Sequence, residues 1–540
     1  MISTVILACL ISFGAQQPQP AEPPSAQTAP SQAAPSATQT APQGAPQNRS
    51  AQSPARQGDA ARPPVAPVAA VVDETPVVTK HTINVNGKTL AYTATTGFMP
   101  IKNPAGETEA HIFFMAYTLD NVAAATERPL MFSFNGGPGS SSVWLHLGAL
   151  GPRRIKMMDD GQMPPPPYQV TDNPHTWLEQ TDLVFIDPVG TGYSRATRPE
   201  LASKFFGLQG DLASVGEFIR LYLARYQRWS SPLFLVGESY GTTRAAGLAG
   251  YLIDRGIAFN GVILVSTVMN FQTLQFAQGN DLPYILILPS YTATAWYHKQ
   301  LPADLQQREL RKVLDEVEAW AASDYTVALG KGDRLTPSER QAVVDKLARY
   351  TGLDKRFIAS ANLRVDLGHF DKELLRGQRR SVGRLDSRFK GIDASGVSER
   401  PDSDPSNNAI RPPYTAAFNS YVRTELGFKS DLEYFILGGG IGRWDWGVNN
   451  GYADTSEMLR NAFAKNPYLK LFVACGYYDM ATPYFAAEYT LNHMNLDPDQ
   501  RGNIRLEYYE AGHMMYIDAR MLAKLKADVA GFIKGALARP

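Results

Sequence analysis

Cysteine is almost absent from this chain of 540 residues, in which only Cys9 and Cys475 occur. Because Cys9 lies in a segment that we predict to be a leader, the mature protein would keep one cysteine and could form no intramolecular disulfide. A fold held together by disulfides is therefore not expected, and the cysteine count carries no information about secretion.

An excess of either charge is missing too, since 52 basic residues balance 52 acidic ones. No basic surface is therefore predicted, and neither nucleic acid nor an anionic membrane is expected as a partner. Charged residues make up 19% and apolar residues 44% of the chain, which is the composition of an ordinary globular protein with a large core.

The N-terminal segment lacks an apolar run long enough to span a membrane. Residues 5–13 are apolar but far too few to cross a bilayer, and their length fits the apolar region of a signal peptide. The positive charges that usually precede such a region are absent. We predict a signal peptide over residues 1–15 and an exported protein, periplasmic or secreted, with a lipid anchor at Cys9 as an alternative.

Large apolar residues and charges are both scarce between Gln16 and Val72, where Pro, Ala, Gln, Ser and Thr dominate. Such a segment cannot bury enough apolar surface to offset the entropy that it would lose on ordering. We predict a disordered tether over residues 16–75, and a cytosolic low-complexity arm is the alternative interpretation.

The most informative stretch of the chain is Gly-Glu-Ser-Tyr-Gly at residues 237–241. An apolar run before it predicts a buried strand, and an alanine-rich segment over residues 244–253 predicts a helix after it. This is the setting of a nucleophile elbow, in which small residues at Gly237 and Gly241 allow a sharp turn that exposes the Ser239 hydroxyl. The alternative is a glycine-rich turn with an incidental serine.

Apolar runs that alternate with helical patterns predict an α/β fold with a mostly parallel central sheet. The predicted strands cover residues 129–134, 181–187, 232–236, 260–266, 469–475 and 504–509, and the predicted helices cover residues 211–226, 484–493 and 518–536. Near the start, Asn86-Gly87 predicts a β-hairpin. Together with a strand over residues 109–119, this hairpin is expected to form an antiparallel edge of the sheet.

The alternation stops between about Thr267 and Pro467. Helical patterns at residues 305–322 and 338–350 are mixed there with a polar stretch at residues 398–408. We predict a large, mainly helical cap over residues 267–467, inserted between two parts of the α/β core at residues 79–266 and 468–540.

A serine nucleophile requires a base, and the base requires an acceptor that orients it. Of the four histidines that follow Ser239, only His513 lies between a predicted strand and the last helix. Asp479 lies in residues 476–480, the segment that directly follows the preceding predicted strand. We therefore predict that Ser239, Asp479 and His513 form a catalytic triad, whereas a solvated loop aspartate and histidine would be the alternative.

The oxyanion formed by attack of a serine requires two preorganised donors. The Tyr240 N–H follows the nucleophile directly, and Gly137 lies in the glycine-rich loop after an earlier predicted strand. We predict that these two backbone N–H groups form the oxyanion hole, although residues 136–139 also fit a tight turn without catalytic function.

These motifs resemble those of the serine carboxypeptidases, an α/β-hydrolase family, and in particular a bacterial-type member. The matching segments are residues 135–139 (Asn-Gly-Gly-Pro-Gly), 173–177, 187–194, 237–241, Asp479 and 511–513 (Ala-Gly-His), within residues 79–534. The resemblance implies an α/β-hydrolase fold and a serine-type carboxypeptidase that acts on peptides with a free C-terminus. It implies no cofactor and no metal.

In this family the terminal carboxylate of the substrate is held by positions that correspond to Asn135, Gly136 and Glu238. A carboxyl group can donate a hydrogen bond to a carboxylate only while it is protonated, so Glu238 would favour mildly acidic conditions. Ser140 stands where the family usually has cysteine, and Ala149 stands where it has a second glutamate.

Two other functions remain open on the sequence alone. An esterase or acyltransferase could use the same triad, but an ester without a carboxylate would leave Asn135 and Glu238 without a polar partner. A non-catalytic envelope binding protein is the second alternative, and an intact set of Ser239, Asp479 and His513 argues against it.

Overall fold

The computed structural model of the protein describes residues 72–124 and 127–538. The predicted signal peptide, Cys9 and all but residues 72–75 of the predicted tether lie outside the described residues. The first strand begins at Val77, two residues before the predicted start of the core.

The described residues form fourteen strands. They are β1 (Val77–Val85), β2 (Lys88–Lys102), β3 (Thr108–Leu119), β4 (Leu130–Phe134), β5 (Arg153–Ile155), β6 (Val170–Asp172), β7 (Asp182–Ile186), β8 (Arg195–Ala196), β9 (Leu233–Ser239), β10 (Gly261–Thr267), β11 (Ser381–Val382), β12 (Lys390–Gly391), β13 (Lys470–Gly476) and β14 (Ile504–Tyr509). All nine strands of the central sheet that the sequence predicts are therefore present.

Ten of these strands form one sheet in the order β1-β2-β3-β7-β4-β9-β10-β13-β14, with β8 paired to β3. Six strands, β7, β4, β9, β10, β13 and β14, run parallel to one another. The pairs β1–β2, β2–β3, β3–β7 and β3–β8 are antiparallel. The predicted parallel sheet with an antiparallel edge is confirmed. In the predicted hairpin, Asn86 and Gly87 both have positive φ, and they join Val85 to its partner Lys88.

The parallel strands are buried on both faces, which explains why they read as continuous apolar runs. Phe185, Val236 and Phe472 pack into the core on one face of the sheet. Their neighbours in sequence, Val184, Leu235 and Val473, pack into the core on the other face. Consecutive side chains of a strand point to opposite faces, so each strand contributes to both cores.

Along the chain, helices lie between the parallel strands and after the last one. They are α1 (Val143–Leu145), α2 (Pro199–Ala202), α3 (Leu208–Arg225), α4 (Tyr240–Ile253), α5 (Leu282–Tyr297), α6 (Ala303–Gln306), α7 (Leu310–Trp320), α8 (Thr326–Lys331), α9 (Pro337–Thr351), α10 (Lys355–Ser360), α11 (Leu367–Glu373), α12 (Pro405–Thr424), α13 (Ser456–Lys465), α14 (Tyr484–Asn492), α15 (Pro498–Arg501) and α16 (Ala519–Leu537). Among the described residues, no helix is both long enough and apolar enough to cross a membrane.

The segment between β10 and β13 is mainly helical, and residues of α5, α7 and α9 such as Leu286, Val317 and Leu347 form a third apolar core. The predicted boundaries of a cap at residues 267 and 467 stay a prediction. Two details differ from the sequence analysis. The pattern at residues 305–322 divides into α6 and α7. The polar stretch at residues 398–408 runs into α12, where the Asp404 side chain accepts a hydrogen bond from the Ser406 N–H and caps the helix.

Candidate active site

Ser239 lies at the sharp turn between β9 and α4. Its backbone has φ 60° and ψ −132°, a conformation that non-glycine residues rarely adopt. A Cβ atom at Gly237 would clash with the Gly241 carbonyl group, and one at Gly241 would lie 2.9 Å from the Phe134 carbonyl oxygen. The two glycines therefore permit the turn that leaves Ser239 partly exposed at the carboxyl end of β9.

Asp479 and His513 follow the neighbouring strands β13 and β14, and the structure brings them into direct contact. His513 Nδ1 lies 2.7 Å from Asp479 Oδ2, and both side chains are buried. The other carboxylate oxygen, Oδ1, accepts hydrogen bonds from the backbone N–H groups of Ala481 and Thr482. The carboxylate is thus fixed on both sides, so it can orient the imidazole ring.

Thr482 and Ser266 support this pair, and sequence analysis did not identify either residue. The Thr482 hydroxyl donates to Asp479 Oδ2 over 2.7 Å and lies 3.2 Å from His513 Nδ1. The Ser266 hydroxyl donates to the His513 carbonyl oxygen over 2.6 Å. Ser266 belongs to β10, whose residue Thr267 pairs with Ser239, so His513 is tied to the strand beside the nucleophile.

The contact with Asp479 changes the protonation of His513. Burial alone would lower the pKa of His513, but the charge of Asp479 and the hydrogen bond to it raise this pKa overall, with a contribution from Glu238. Glu238 is therefore within electrostatic range of His513. Among the described residues, the Ser239 hydroxyl forms no hydrogen bond with His513.

The predicted oxyanion loop lies directly against the elbow. A Cβ atom at Gly136 would clash with the Tyr240 backbone nitrogen, so only glycine allows the loop to approach this closely. Gly137 has φ 101°, which also favours glycine. The backbone of residues 136–137 and the Tyr240 N–H thus lie together, beside Ser239.

Asn135 and Glu238 form a buried polar pair next to this loop. Asn135 Nδ2 donates to Glu238 Oε1 over 3.0 Å, while Asn135 Oδ1 accepts from the Leu145 N–H at 3.0 Å. These two contacts define which end of the Asn135 amide faces Glu238. Burial raises the pKa of Glu238 to about 7, against the opposing effects of His513 and of hydrogen-bond donors. A neutral carboxylic acid is thus available near pH 7.

A buried ion pair between Arg244 and Asp211 holds both Asn135 and Tyr240 through hydrogen bonds. Arg244 Nε donates to the Asp211 carboxylate, which also accepts from the Tyr240 hydroxyl at 2.9 Å. Arg244 Nη1 donates to the Asn135 carbonyl oxygen over 2.7 Å. The pair is fully buried and hydrogen-bonded, so it holds the glycine loop and the elbow in one arrangement.

A segment of the region between β10 and β13, residues 381–390, contacts the loops of both Asp479 and His513. We call these residues the clamp. The Leu385 carbonyl oxygen accepts from the His513 N–H at 2.6 Å, and Asp386 Oδ2 accepts from the Gly512 N–H at 3.1 Å.

The clamp also bonds to the loop that carries Asp479. The Met480 N–H donates to the Arg384 carbonyl oxygen over 3.2 Å, and the Ser387 N–H donates to the Tyr478 carbonyl oxygen over 3.0 Å. The clamp thus joins the two loops through backbone hydrogen bonds. No motif in the sequence indicated this contact.

A second segment from this region, residues 434–446, lies across the glycine-rich loop and the elbow. We call it the strap. The Gly438 N–H donates to the Gly139 carbonyl oxygen over 3.0 Å, and the Ser141 N–H donates to the Ile436 carbonyl oxygen over 3.1 Å. The Trp444 ring packs edge-on against the Tyr240 ring.

A cavity of about 560 Å³ lies at the end of the strap. Its lining includes Phe271, Trp444, Trp446 and Tyr452.

The described residues contain no group of three or more His, Cys, Asp or Glu side chains placed to hold a metal ion. The polar side chains around Ser239 instead form two sets. One set is the pair of Asp479 and His513, and the other is the pair of Asn135 and Glu238. The first suits proton transfer from a hydroxyl group, and the second suits the binding of an anionic group.

The chain is similar to a known protein family. The family model described as serine carboxypeptidase matches residues 85–512 of the chain. Serine carboxypeptidase-like 36 of Arabidopsis thaliana is 27% identical over 183 residues, which are 32% of this chain and 34% of that protein. Serine carboxypeptidase-like 8 from the same plant is 30% identical over 201 residues, 36% of this chain and 42% of that protein. The chain thus matches less than half of the length of these two relatives.

Among solved structures, the chain resembles Kex1Δp, a prohormone-processing carboxypeptidase from Saccharomyces cerevisiae. The TM-score is 0.50 at 15% identity, and the match covers 82% of this chain and 91% of that one. At this identity the likeness concerns the fold alone. The predicted α/β-hydrolase fold, with its mostly parallel sheet, is confirmed.

Proposed function

The chain belongs to the serine carboxypeptidase family and is a hydrolase, and from this premise we propose that it is a serine-type carboxypeptidase. It would hydrolyse the C-terminal peptide bond of peptides through an acyl-enzyme. The observation that carries the proposal is the buried Glu238, which is bonded to Asn135 and directly precedes Ser239. A neutral acid beside a nucleophile suits a substrate with a terminal carboxylate.

The first half of the proposed reaction acylates Ser239. His513 accepts the hydroxyl proton of Ser239 while Oγ attacks the carbonyl carbon of the last peptide bond, and Asp479 stabilises the imidazolium that forms. The N–H groups of Gly137 and Tyr240 would donate to the oxyanion. His513 then gives its proton to the leaving amine, the C–N bond breaks, and the C-terminal amino acid departs.

The second half hydrolyses the acyl-enzyme. His513 takes a proton from a water molecule, whose oxygen attacks the ester carbonyl carbon, and the C–O bond to Ser239 breaks as His513 returns the proton to Oγ. The shortened peptide then leaves. No step requires a cofactor or a metal ion.

Recognition of the terminal carboxylate would distinguish this reaction from that of an endopeptidase or a simple esterase. In the proposed complex Asn135 Nδ2, the Gly136 N–H and the protonated Glu238 donate to the carboxylate of the substrate. Burial raises the pKa of Glu238 to about 7 although the hydrogen bond from Asn135 opposes this shift, so the acid remains protonated in mildly acidic solution.

The proposal can be tested by incubating a mixed peptide pool with the wild-type protein and with Ser239→Ala, and reading both digests by mass. Wild type should shorten peptides by one residue from the C-terminus and leave the same peptides intact when they end in an amide. Ser239→Ala should be inactive, since loss of a triad member costs on the order of 10⁶ in rate.

Two results would contradict the proposal in different ways. Hydrolysis of simple esters without release of any terminal residue would favour the esterase or acyltransferase alternative. Absence of turnover on every substrate, with binding of peptides retained, would favour the non-catalytic envelope binding protein.

We also propose that the protein is exported by a signal peptide at residues 1–15, which lie outside the described residues. The proposal rests on the apolar run at residues 5–13. Fractionation of expressing cells and sequencing of the N-terminus would test it. A shortened protein outside the cytoplasm is expected, whereas a full-length protein in the cytosol would contradict export.

A further inference from the structure

Within the part of the chain that the structure describes, two buried polar atoms near Asn135 have no hydrogen-bond partner of standard geometry. They are Glu238 Oε2 and the hydroxyl oxygen of Tyr516. The Tyr516 side chain is fully buried, and Glu238 is 3% exposed. An unpaired buried polar group destabilises a fold because it loses its hydration without gaining a hydrogen-bond partner. Two such groups at one place therefore indicate a site that a ligand completes.

These two atoms belong to one polar cluster. The Tyr516 hydroxyl interacts with the Glu238 carboxyl group and with the Asn135 side chain. Tyr516 lies three residues after His513, in a helical turn over Met515–Ile517 that precedes α16. Tyr516 therefore lies on the same loop as the proposed catalytic base.

Gly148 provides the space for the Tyr516 ring. A Cβ atom at Gly148 would clash with this ring, so only glycine at this position admits the tyrosine. The phenol can therefore lie beside Glu238.

The chemistry of the cluster suits a carboxylate. Glu238 Oε1 already accepts the Asn135 N–H, so the proton of the neutral acid belongs on the free oxygen, Oε2. The Tyr516 hydroxyl is a second donor, and burial raises its pKa well above the ordinary value for tyrosine. It therefore remains a donor at every pH at which the enzyme would act. Neither O–H group has a hydrogen-bond partner of standard geometry within the described residues, so both can turn from their mutual interaction to the two oxygens of a carboxylate.

We propose that Tyr516 is a further substrate-binding residue whose hydroxyl group donates a hydrogen bond to the terminal carboxylate of the peptide, beside Glu238. This inference rests on the proposed function, because it assigns an additional residue to the same carboxylate site.

The experiment compares kcat/KM for a peptide with a free C-terminal carboxylate and for the same peptide as an amide, at a pH below 7. Tyr516→Phe removes only the hydroxyl oxygen. It should lower the ratio of the two kcat/KM values by about 10- to 100-fold, as expected for the loss of one hydrogen bond to a charged group. Most of the change should be in KM for the free acid.

Tyr414→Phe is the matched control. Tyr414 is also fully buried and its hydroxyl also faces Gly148, but it is not a hydrogen-bond partner of Glu238 in the described residues. If these buried tyrosines acted only through packing, both substitutions would change kcat/KM to the same extent for the free acid and for the amide. Tyr414→Phe should therefore leave the ratio of free acid to amide unchanged.

The outcomes separate this inference from the proposed function. If wild type prefers the free acid and Tyr516→Phe keeps the same preference, the inference is overturned and the carboxypeptidase function stands. If wild type shows no preference for the free acid, the proposed function itself fails. If Tyr414→Phe lowers the ratio as much as Tyr516→Phe does, the effect is due to packing, and Tyr516 has no specific role.

Discussion

At the scale of single residues, the buried position of Glu238 has a consequence for the dependence of activity on pH. Burial raises its pKa to about 7, and peptide hydrolysis should weaken as pH rises through this value because the anion cannot donate to a carboxylate. His513 must be neutral to accept a proton, and its pKa is raised, so activity should also fall on the acid side. The profile of activity against pH should be bell-shaped. Because Glu238 and His513 interact, its two apparent pKa values belong to the pair and not to either residue alone.

Glu238→Gln keeps a donor at this position and removes the titration. On peptides with a free carboxylate, we expect measurable activity without the decline above pH 7. The negative charge of Glu238 contributes to the raised pKa of His513, so its removal should move the acid limb to lower pH as well. Profiles of kcat/KM against pH would show both effects, and hydrolysis of peptide amides provides the control. An unchanged alkaline limb in the variant would exclude Glu238 as the carboxylate-binding acid.

The Thr482 hydroxyl group is a second feature whose contribution to catalysis can be tested by a single substitution. Its hydroxyl donates to Asp479 Oδ2, the oxygen that also contacts His513. Thr482→Val removes this donor at nearly constant volume and should loosen the carboxylate. We expect kcat to fall by about tenfold with little change in KM, the effect of one hydrogen bond to a charged group.

Thr490→Val is the matched control for this change, because the Thr490 hydroxyl is also buried but donates to the Ala486 carbonyl oxygen within α14. Equal losses of kcat in both variants would mean that Thr482 contributes to folding only. A loss of kcat confined to Thr482→Val would support its role in orienting Asp479.

The residues of the candidate site divide into those that the sequence could reveal and those that it could not. Ser239, Asp479 and His513 could be predicted because each lies within four residues of the end of an apolar run, so strand ends and motif positions coincide. Thr482 and Ser266 carry no such signal, since a lone hydroxyl in a loop or at the end of a strand occurs in many positions. Their roles depend on side-chain contacts between β10, the loop after β13 and the loop after β14.

At the scale of secondary-structure elements, we expect the clamp to control the catalytic geometry, although it is distant in sequence from Asp479 and His513. Asp386→Ala removes the carboxylate that accepts the Gly512 N–H and pairs with Arg388. We expect the loop of His513 to lose its alignment and kcat to fall by about tenfold or more on peptides and on esters alike. Stopped assays with both substrates and a thermal melt would measure the effect.

Asp402→Ala is a suitable control, because Asp402 accepts a backbone hydrogen bond from Ala394 in the same region and contacts neither catalytic loop in the described residues. If Asp402→Ala and Asp386→Ala lose activity and thermal stability to the same extent, the clamp is only a structural element. If Asp386→Ala retains full kcat, the clamp does not position His513.

The elements themselves were predicted well where short apolar runs alternate with helices. β14 begins and ends at the predicted residues, and β4, β7, β10 and β13 agree within one or two residues. The segment between β10 and β13 was harder, because its helices bury side chains against one another and have no strands to set their limits. α12 begins within a polar stretch and contains Pro412 and Pro413, which usually indicate the absence of a helix.

At the scale of the whole molecule, the described residues contain the complete candidate site without the first 71 residues. We therefore expect a protein that begins at Val72 to keep wild-type kcat and KM and the same thermal melting temperature. A truncation at Phe98 is the contrasting variant, because it removes β1 and most of β2, whose apolar side chains Val85 and Tyr92 belong to the core. Reduced activity of the protein that begins at Val72 would show that the N-terminal segment contributes to folding or to the site.

The clamp also limits how this protein could exchange parts with its relatives. The region between β10 and β13 could be regarded as a module that recombination replaces to produce new specificities. Here, however, four backbone or side-chain contacts from residues 384–387 reach the loops after β13 and β14. A chimera that received the whole region from another protein would therefore lose catalytic alignment unless it also retained these residues, which makes the clamp a natural boundary for grafting.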